Sequence, residues 1–287
     1  MATLRVIRRK IGSAKKIQQI TNAMYMVSAA KLRRAQQEAE NARPYAAALD
    51  DVISRVLLRS EKKDHPMIVQ REASSAELLI MTSDRGLCGA FNENKIRAGQ
   101  LFIEENKEEY ESIQLNLLGK KANDFYKKRE VRIAKQNLNP QKEVGFDKAK
   151  NIANDIINRY LAGEMDSVYM LYPMFHSAVV QKPTIVPLLP VQPKTKMQLV
   201  GADYIYEPSS EKLLDMLLPF QIRMQVFHAM LETRASELGA RMSAMDLATE
   251  NSKEMIQSLT LKMNRARQES ITKELLDIVT GTEALKK

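Results

Sequence analysis

Stepping alternately three and four residues along the N-terminal segment from Leu4 meets Ile7, Ile11, Ala14, Gln18, Thr21, Tyr25, Ser28, Leu32, Ala35, Ala39, Ala42, Ala46, Leu49, Ile53 and Val56. An apolar step averaging about 3.5 residues, kept for roughly eight heptads, is the signature of a left-handed coiled coil. Many of these seam positions are alanine, which lets a partner helix approach closely. Only Pro44 interrupts a helical pattern expected from about Thr3 to Arg59. An amphipathic helix lying on a globular core would account for the stripe but not for its length. Between Ile17 and Val27 the seam turns polar at Gln18 and Thr21, and a second stripe of Ile17, Ile20, Met24 and Val27 opens on another face. Either that face meets something besides the partner helix, or the seam itself shifts there.

The far end of the chain supplies the partner. After Tyr206-Glu207-Pro208, Ser209 or Ser210 can cap a helix whose early part carries Leu213, Leu214, Leu217 and Leu218. Pro219 is expected to kink that helix or mark a restart. From Phe220 to Lys287 no further proline occurs, and glycine stands only at 239 and 281. The seam reads Ala235, Leu238, Met242, Met245, Ala248, Ser252, Met255, Leu259, Met263 and Ala266. Roughly 50–60 helical residues would span about 75–90 Å. A helix that long cannot be buried in a globule of 287 residues and needs a sleeve or a partner.

The middle differs in kind. Glu77 to Thr82 reads as a strand, and a loop from Ser83 to Asn92 leads into a helix ending near Tyr110. Ile113 to Leu118 is a second strand, Lys121 to Lys128 a short helix, and Val131 to Lys135 a candidate third strand. Asp147 to Ala162 reads as helix, followed by strands at Ser167 to Leu171 and within Ala178 to Leu189. Alternating strand and helix implies a mostly parallel sheet covered by helices. The expected fold class is therefore α+α/β: a long antiparallel coiled coil of the N- and C-terminal helices with an inserted Rossmann-like α/β domain. The expected divisions are 1–69 for the N-terminal coiled-coil helix, 70–208 for the inserted domain and 209–287 for the C-terminal helix.

Composition agrees. Aromatics are 6% of the chain, Trp is absent and Met occurs 16 times, a mix that suits helix seams better than a bulky core. A single cysteine, Cys88, allows no internal disulfide and fits a reducing compartment. The charge-free stretch from Ser167 to Val180 is too short to span a membrane and holds Pro173. The Arg-rich start has the look of a transit peptide, but its pattern runs unbroken into the following helix. Residues 1–34 contain Arg5, Arg8, Arg9, Lys10, Lys15, Lys16, Lys31, Arg33 and Arg34 and no Asp or Glu, which matches the whole net charge of +9. Such a helix can attract nucleic acid, a membrane surface or an acidic protein, and charge alone does not choose.

Chemistry has little to stand on. The strand–loop–helix order around Gly86-Leu-Cys-Gly89 is where α/β proteins hold phosphate. The residues are nevertheless neither GxGxxG nor GxxxxGK[ST], so a tight turn with local hydrogen bonds from Asp84 and Arg85 is the expectation. Cys88 as a nucleophile needs a base, and the only histidines are His65, His176 and His228. Three scattered histidines and one cysteine also make a poor zinc set. Glu104-Glu105 and Glu108-Glu109 read as solvated surface. No catalytic, cofactor-binding or metal residue is assigned. Nucleic-acid binding by the basic helix is the main rival, although no recognition module or stacking platform accompanies it. A membrane-surface helix is weakened by the lack of Trp or Phe in the first 90 residues.

Four stretches carry a resemblance. They are Ile11-Gly-Ser-Ala-Lys-Lys-Ile-Gln-Gln-Ile-Thr-Asn-Ala-Met24 continuing Met26-Val-Ser-Ala-Ala-Lys31; Ser83-Asp-Arg-Gly-Leu-Cys-Gly-Ala-Phe-Asn92; Ser236 to Met245 with Ala248-Thr-Glu-Asn251; and Asn264 to Asp277. In this order, over the whole chain, they closely resemble the gamma subunits of F-type ATP synthases. The family pattern usually ends in Gly-Ala, where this chain has Gly281-Thr282-Glu283. The resemblance implies a central rotor shaft inserted through a ring of three alpha and three beta subunits, with the α/β domain at the foot against epsilon and the c-ring. It further implies no catalytic residue and no cofactor on this chain, no nucleic-acid partner, and membrane contact only through the c-ring. The location implied is the cytoplasmic face of a bacterial membrane. Carried over by position, Arg267, Gln268 and Thr272 would engage a loop of beta. Met24, with neighbouring Lys and Arg, would be pressed by an acidic lever of beta, and Tyr204, Tyr206 and Glu207 would meet the c-ring or epsilon. A single cysteine also excludes the intramolecular dithiol switch of chloroplast relatives.

Overall fold

A computed structural model describes residues 2–59, 64–72, 74–137, 144–175, 177–178, 180–192, 207 and 209–284. Two long helices, α1 (Ala2–Arg59) and α5 (Ser210–Ala284), enclose the rest in sequence. Ser209 settles the capping question: its Oγ accepts the backbone N–H of Lys212 at 3.3 Å. Both helices run on through their prolines, Pro44 and Pro219, so the expected restart at Pro219 does not occur. A proline inside a helix costs about 3 kcal/mol. Leu214, Leu218 and Ile222, all buried around Pro219, offset that cost through packing.

The chain divides into two compact units, Met1–Ser28 with Met242–Lys287, and Ala29–Arg241. In the first, every α1 seam position from Leu4 to Ser28 is buried or half-buried. The polar seam residues are used rather than displaced. Thr249 Oγ1 donates to Thr21 Oγ1 at 2.8 Å, and Thr21 Oγ1 donates to the carbonyl of Gln18 at 3.1 Å. A groove lined by Lys15, Gln18 and Gln19 on one side and Lys253, Ile256 and Gln257 on the other shows the two segments running antiparallel. Strict three–four alternation on α5 gives Met245, Thr249, Ser252, Ile256, Leu259, Met263 and Ala266, all buried or half-buried. Met255, expected in the seam, is 57% exposed, and Ile256 takes its place. The reason is register: after Ser252 the next step must be four residues, not three.

The second unit holds a five-stranded sheet of β1 (Ser75–Met81), β2 (Ser112–Leu118), β3 (Arg132–Asn137), β4 (Ser167–Phe175) and β5 (Gln181–Leu189) in the order β3-β2-β1-β4-β5. All neighbours are parallel except β4 and β5. Strand alternation builds two cores. Leu78, Ile80, Leu115 and Leu117 meet α2 (Phe91–Asn106) and α3 (Lys120–Tyr126) through Ile96, Phe102, Ala122 and Tyr126. Leu79, Met81 and Leu118 point the other way, into a cluster with α4 (Phe146–Leu161) and with Ile53 and Val56 of α1 and Leu218 and Ile222 of α5. Gly119 makes the β2–α3 turn at φ +106°, where a Cβ would lie 2.2 Å from the carbonyl oxygen of Thr82, so only glycine fits.

Within this unit the long helices are again antiparallel. Gln221 donates to Asp50 at 2.8 Å, Arg43 binds Glu232 at 2.8 Å and Arg234 binds Glu38 at 3.0 Å. Inside the sheet, Glu77 is fully buried. Its carboxylate accepts from Arg159 Nη1 and Nη2, the latter at 2.8 Å, from Asn116 at 2.9 Å and from Gln114 at 3.3 Å. Arg159 also binds Asp155, which Lys135 reaches at 2.7 Å. Burial pushes the Asp155 carboxyl up, but the Lys135 hydrogen bond and the Arg159 charge outweigh it and hold it below its ordinary value.

Candidate interaction surfaces

The second stripe on α1 faces outward. Ile17, Ile20 and Val27 are 53%, 59% and 53% exposed, and Met26 is exposed beside them, while Gln18 and Thr21 stay in the seam. The seam therefore does not shift, and the stripe is an additional apolar face on a helix without acidic residues over its first 34 positions. Met24 is half-buried at its edge. Contiguous uncovered apolar surface of this kind marks a contact site.

The end of α5 is a second surface. Counting back from the Thr21–Thr249 contact, α1 runs out at Ala2, opposite about Gln268. Beyond that level no described residue of α1 lies opposite α5, and Ile271, Leu275, Leu276, Ile278 and Val279 are exposed. Arg267, Gln268 and Thr272 are exposed at the crossover from paired to unpaired helix. Gln268 and Thr272 are brought together: Thr272 Oγ1 donates to the Gln268 carbonyl at 2.9 Å, and both line a shallow depression of about 470 Å³ with Arg265, Glu269, Lys273 and Leu276. Arg267 lies outside that depression, and Met24 lies far along the coil from all three. Of the residues carried over for the foot, Glu207 is exposed, and Tyr204 and Tyr206 lie outside the described residues. Sequence reading missed the apolar run after Gln268. Comparing the lengths of the two helices about their contact would have found it.

The loop after β1 is closed by its own residues. Asn92 Oδ1 accepts the backbone N–H of Ser83 at 2.9 Å, and Asn92 Nδ2 donates to Cys88 Sγ at 3.3 Å. Asp84 accepts the backbone N–H of Lys120 at 2.9 Å. Ser83 Oγ donates to the carbonyl of Arg85 at 2.6 Å, so the turn is tight and locally bonded, with Ser83 and Asn92 closing it and Asp84 reaching out to α3. Leu87, at φ +62°, is exposed at the tip of this loop. Cys88 is buried, and burial pushes its thiol above the ordinary range despite the Ser83 hydrogen bond. Among the described residues its hydrogen-bond partners are Ser83, the Arg85 carbonyl and Asn92, with no histidine. His65 pairs with Asp215 at 3.2 Å, His228 faces Glu232, and His176 lies outside the described residues. Among the described residues no His, Cys, Asp and Glu group is arranged to hold a metal ion, and no helix is long and apolar enough to cross a membrane.

Behind the loop, Lys95 of α2 is fully buried, its Nζ 3.2 Å from the centroid of the Phe91 ring and without a hydrogen-bond partner among the described residues. Burial holds its pKa well below the usual 10.5, against the pull of Cys88 and Glu237. The unfolded chain takes up this proton at higher pH than the folded one. The lysine therefore penalises folding most below its folded pKa, and the penalty fades as pH rises towards 10.5. Lys95→Met is expected to stabilise the chain by about 1–3 kcal/mol at neutral pH. The gain should shrink as the pH is raised, read by denaturant titration at several pH values. A destabilised variant would show that Lys95 has a partner.

Three comparisons with known proteins agree. The ATP synthase family profile matches residues 3–285. The ATP synthase gamma chain of Anaeromyxobacter sp. (strain K) is 48% identical over 290 residues, covering all of both chains. That of Geobacter sp. (strain M21) is 46% identical, again over the full length of both. Among solved structures, the fold is similar to a chain in the Euglena gracilis mitochondrial ATP synthase rotor, with a TM-score of 0.64 at 23% identity over 94% of this chain and 99% of that one. A chain of the Tetrahymena thermophila central stalk and c-ring structure gives 0.60 at 24% identity over 80% and 99%. With its whole length matched and its terminal helices paired as an antiparallel coiled coil, the chain belongs to the ATP synthase gamma chain family.

Proposed function

We propose that this chain is the central rotor shaft of an F-type ATP synthase, coupling rotation of a proton-driven c-ring to conformational cycling of nucleotide sites on a ring of alpha and beta subunits. The observation that carries this reading is a long α5 whose last described turns expose an apolar surface that no other described element covers, in a chain matched end to end by gamma chains. A surrounding ring of subunits is the cover that such a helix requires. The chain itself is non-catalytic, and ATP chemistry belongs to beta and alpha. The acid-free face with Ile17, Ile20 and Val27 meets acidic protein, Met24 included, while Arg267, Gln268 and Thr272 meet a loop of beta. The inserted domain, 70–208 between the terminal segments 1–69 and 209–287, forms the foot. There Glu207, with Tyr204 and Tyr206, meets epsilon or the c-ring, holding the chain peripherally at the cytoplasmic face of a bacterial membrane.

The mechanism is differential contact. A single shaft inside a three-fold ring presents a different face to each beta subunit at any angle. A partner shifts a conformational equilibrium only by the difference in its affinity for the two states. An apolar stripe on one face of α1 supplies such a difference, since a beta subunit facing it gains contacts that the others lack.

The test is reconstitution of the full chain with separately made alpha and beta subunits. A three-to-three-to-one complex with strong ATP hydrolysis, and none from this chain alone, is the expected result. No complex, together with salt-sensitive DNA binding, would favour the nucleic-acid reading instead. Ile17→Asp with Ile20→Asp should weaken assembly roughly tenfold or more while leaving the fold intact, because both side chains face solvent in the free chain. Undiminished assembly would remove this stripe from the interface.

A further inference from the structure

One carboxylate ties three elements of the sheet-bearing unit together. Glu232 of α5 is 2% exposed. Its Oε1 accepts from Arg43 of α1, from Nη2 at 2.8 Å and Nε at 3.3 Å, and its Oε2 accepts the backbone N–H of Phe175, at the end of β4, at 3.0 Å. His228, one turn earlier on α5, holds Nε2 3.5 Å from the same Oε1 that binds Arg43. That separation is longer than the roughly 2.7–3.2 Å of a good N–H···O bond. Arg43, His228 and Glu232 form one wall of an open cavity of about 630 Å³ floored by Met170, Met174, Phe175 and Val186. Solvent, and with it a proton, therefore reaches the histidine. The other ionisable groups facing this space are Asp50 of α1 and Tyr172 of β4.

We propose that this cluster is a proton-operated exchange of partners: protonated His228 draws Glu232 Oε1 from Arg43 and releases the tie between α1 and α5, while the Phe175 bond to Oε2 stays. A neutral imidazole cannot compete with a guanidinium for a carboxylate, whereas an imidazolium makes a charge-assisted bond of its own. Two cations on one oxygen repel each other. Arg43, whose side chain is 50% exposed, can leave for water at little cost, and His228, at 23%, cannot. Burial holds the His228 ring below its ordinary 6.5, with Glu232 and Asp50 pulling it up and Arg43 pushing it down. The unfolded chain thus binds this proton first. Stability is complete above about 6.5 and is lost as pH falls through the window below it. The exchange goes beyond the rotor reading, because it is a property of the free chain and is measured there.

Histidine-selective NMR of the full chain tests it. With three histidines in the sequence, His228→Gln assigns the signal. The ring is expected to titrate below 6.5 and to move up by about one unit in Arg43→Met, where the neighbouring cation is gone. A double-mutant cycle of Arg43→Met and Glu232→Gln on unfolding should show coupling at neutral pH. That coupling should be lost below the measured His228 midpoint, and kept there when His228→Gln is the background. Coupling that does not change with pH, or that is lost at low pH just as much in the His228→Gln background, overturns the proposal, as does a His228 midpoint that stays put in Arg43→Met. If Glu232→Gln does not fold, the titrations of the unaltered chain and of Arg43→Met decide alone.

Discussion

Glu77→Ala is expected to destabilise the sheet-bearing unit by about 3–5 kcal/mol, the cost of removing one member of a buried ion pair. Glu77 is fully buried, and Arg159 keeps only 16% of its side chain exposed. Alanine would leave the guanidinium with Asp155 alone and would strand the amides of Asn116 and Gln114, which donate to the same carboxylate. Unpaired buried donors each carry their own desolvation cost. The loss is a property of the pairing and not of charge as such. The double variant Glu77→Leu with Arg159→Met should therefore recover much of it, since apolar replacements of similar volume are often neutral. The chain has no Trp, so tyrosine fluorescence and hydrogen exchange at the amides of β1 and β2 are the readouts. A change below about 1 kcal/mol for Glu77→Ala would mean that Arg159 finds water or another partner and that the network is not a structural centre.

The coiled coil was legible because its period is written in residue type. An apolar or small side chain every 3.5 positions has one good solution, and all of the α1 positions so chosen are covered. The central strands were legible as short apolar runs, since β1 and β2 are buried on both faces of the sheet. What escaped the sequence lies in pairwise geometry. Met255 and Ile256 are both apolar, and only the register against α1 decides that Ile256 is covered. Thr21 and Thr249 look like a flaw in the seam until their hydroxyls are seen to bond each other. Arg43 and Glu232 stand 189 positions apart, and nothing local marks either as the other's partner. Of the surfaces, the stripe of Ile17, Ile20 and Val27 could be seen but not assigned, because exposure is decided by where the partner helix lies. At Pro219 local propensity allowed a kink or a restart, and the surrounding leucine packing carries the helix on without a restart.

Inserting Gly-Pro after Met245 is expected to abolish coupling between proton transport and ATP synthesis while leaving the inserted domain folded. Met245 is 5% exposed and stands in the seam four residues before Thr249. A proline in a helix interior costs about 3 kcal/mol and glycine about 1 more. The two added residues also turn the following helix by about 200°. Thr249, Ser252, Ile256 and Leu259 then leave the seam, and the hydrogen bond to Thr21 cannot form. A shaft transmits torque only if its two ends keep a fixed angular relation, and a paired coil resists twisting better than a single kinked helix. In membrane vesicles carrying the reconstituted complex, ATP-driven quenching of an acridine dye should disappear while ATP hydrolysis persists. An Ala-Ala insertion at the same point separates loss of register from loss of the helix. A seven-residue helical insertion, which restores register, should recover part of the coupling. Coupling preserved in the Gly-Pro variant would mean that torque does not pass through this part of the coil, and the rotor-shaft mechanism would have to be carried by other contacts.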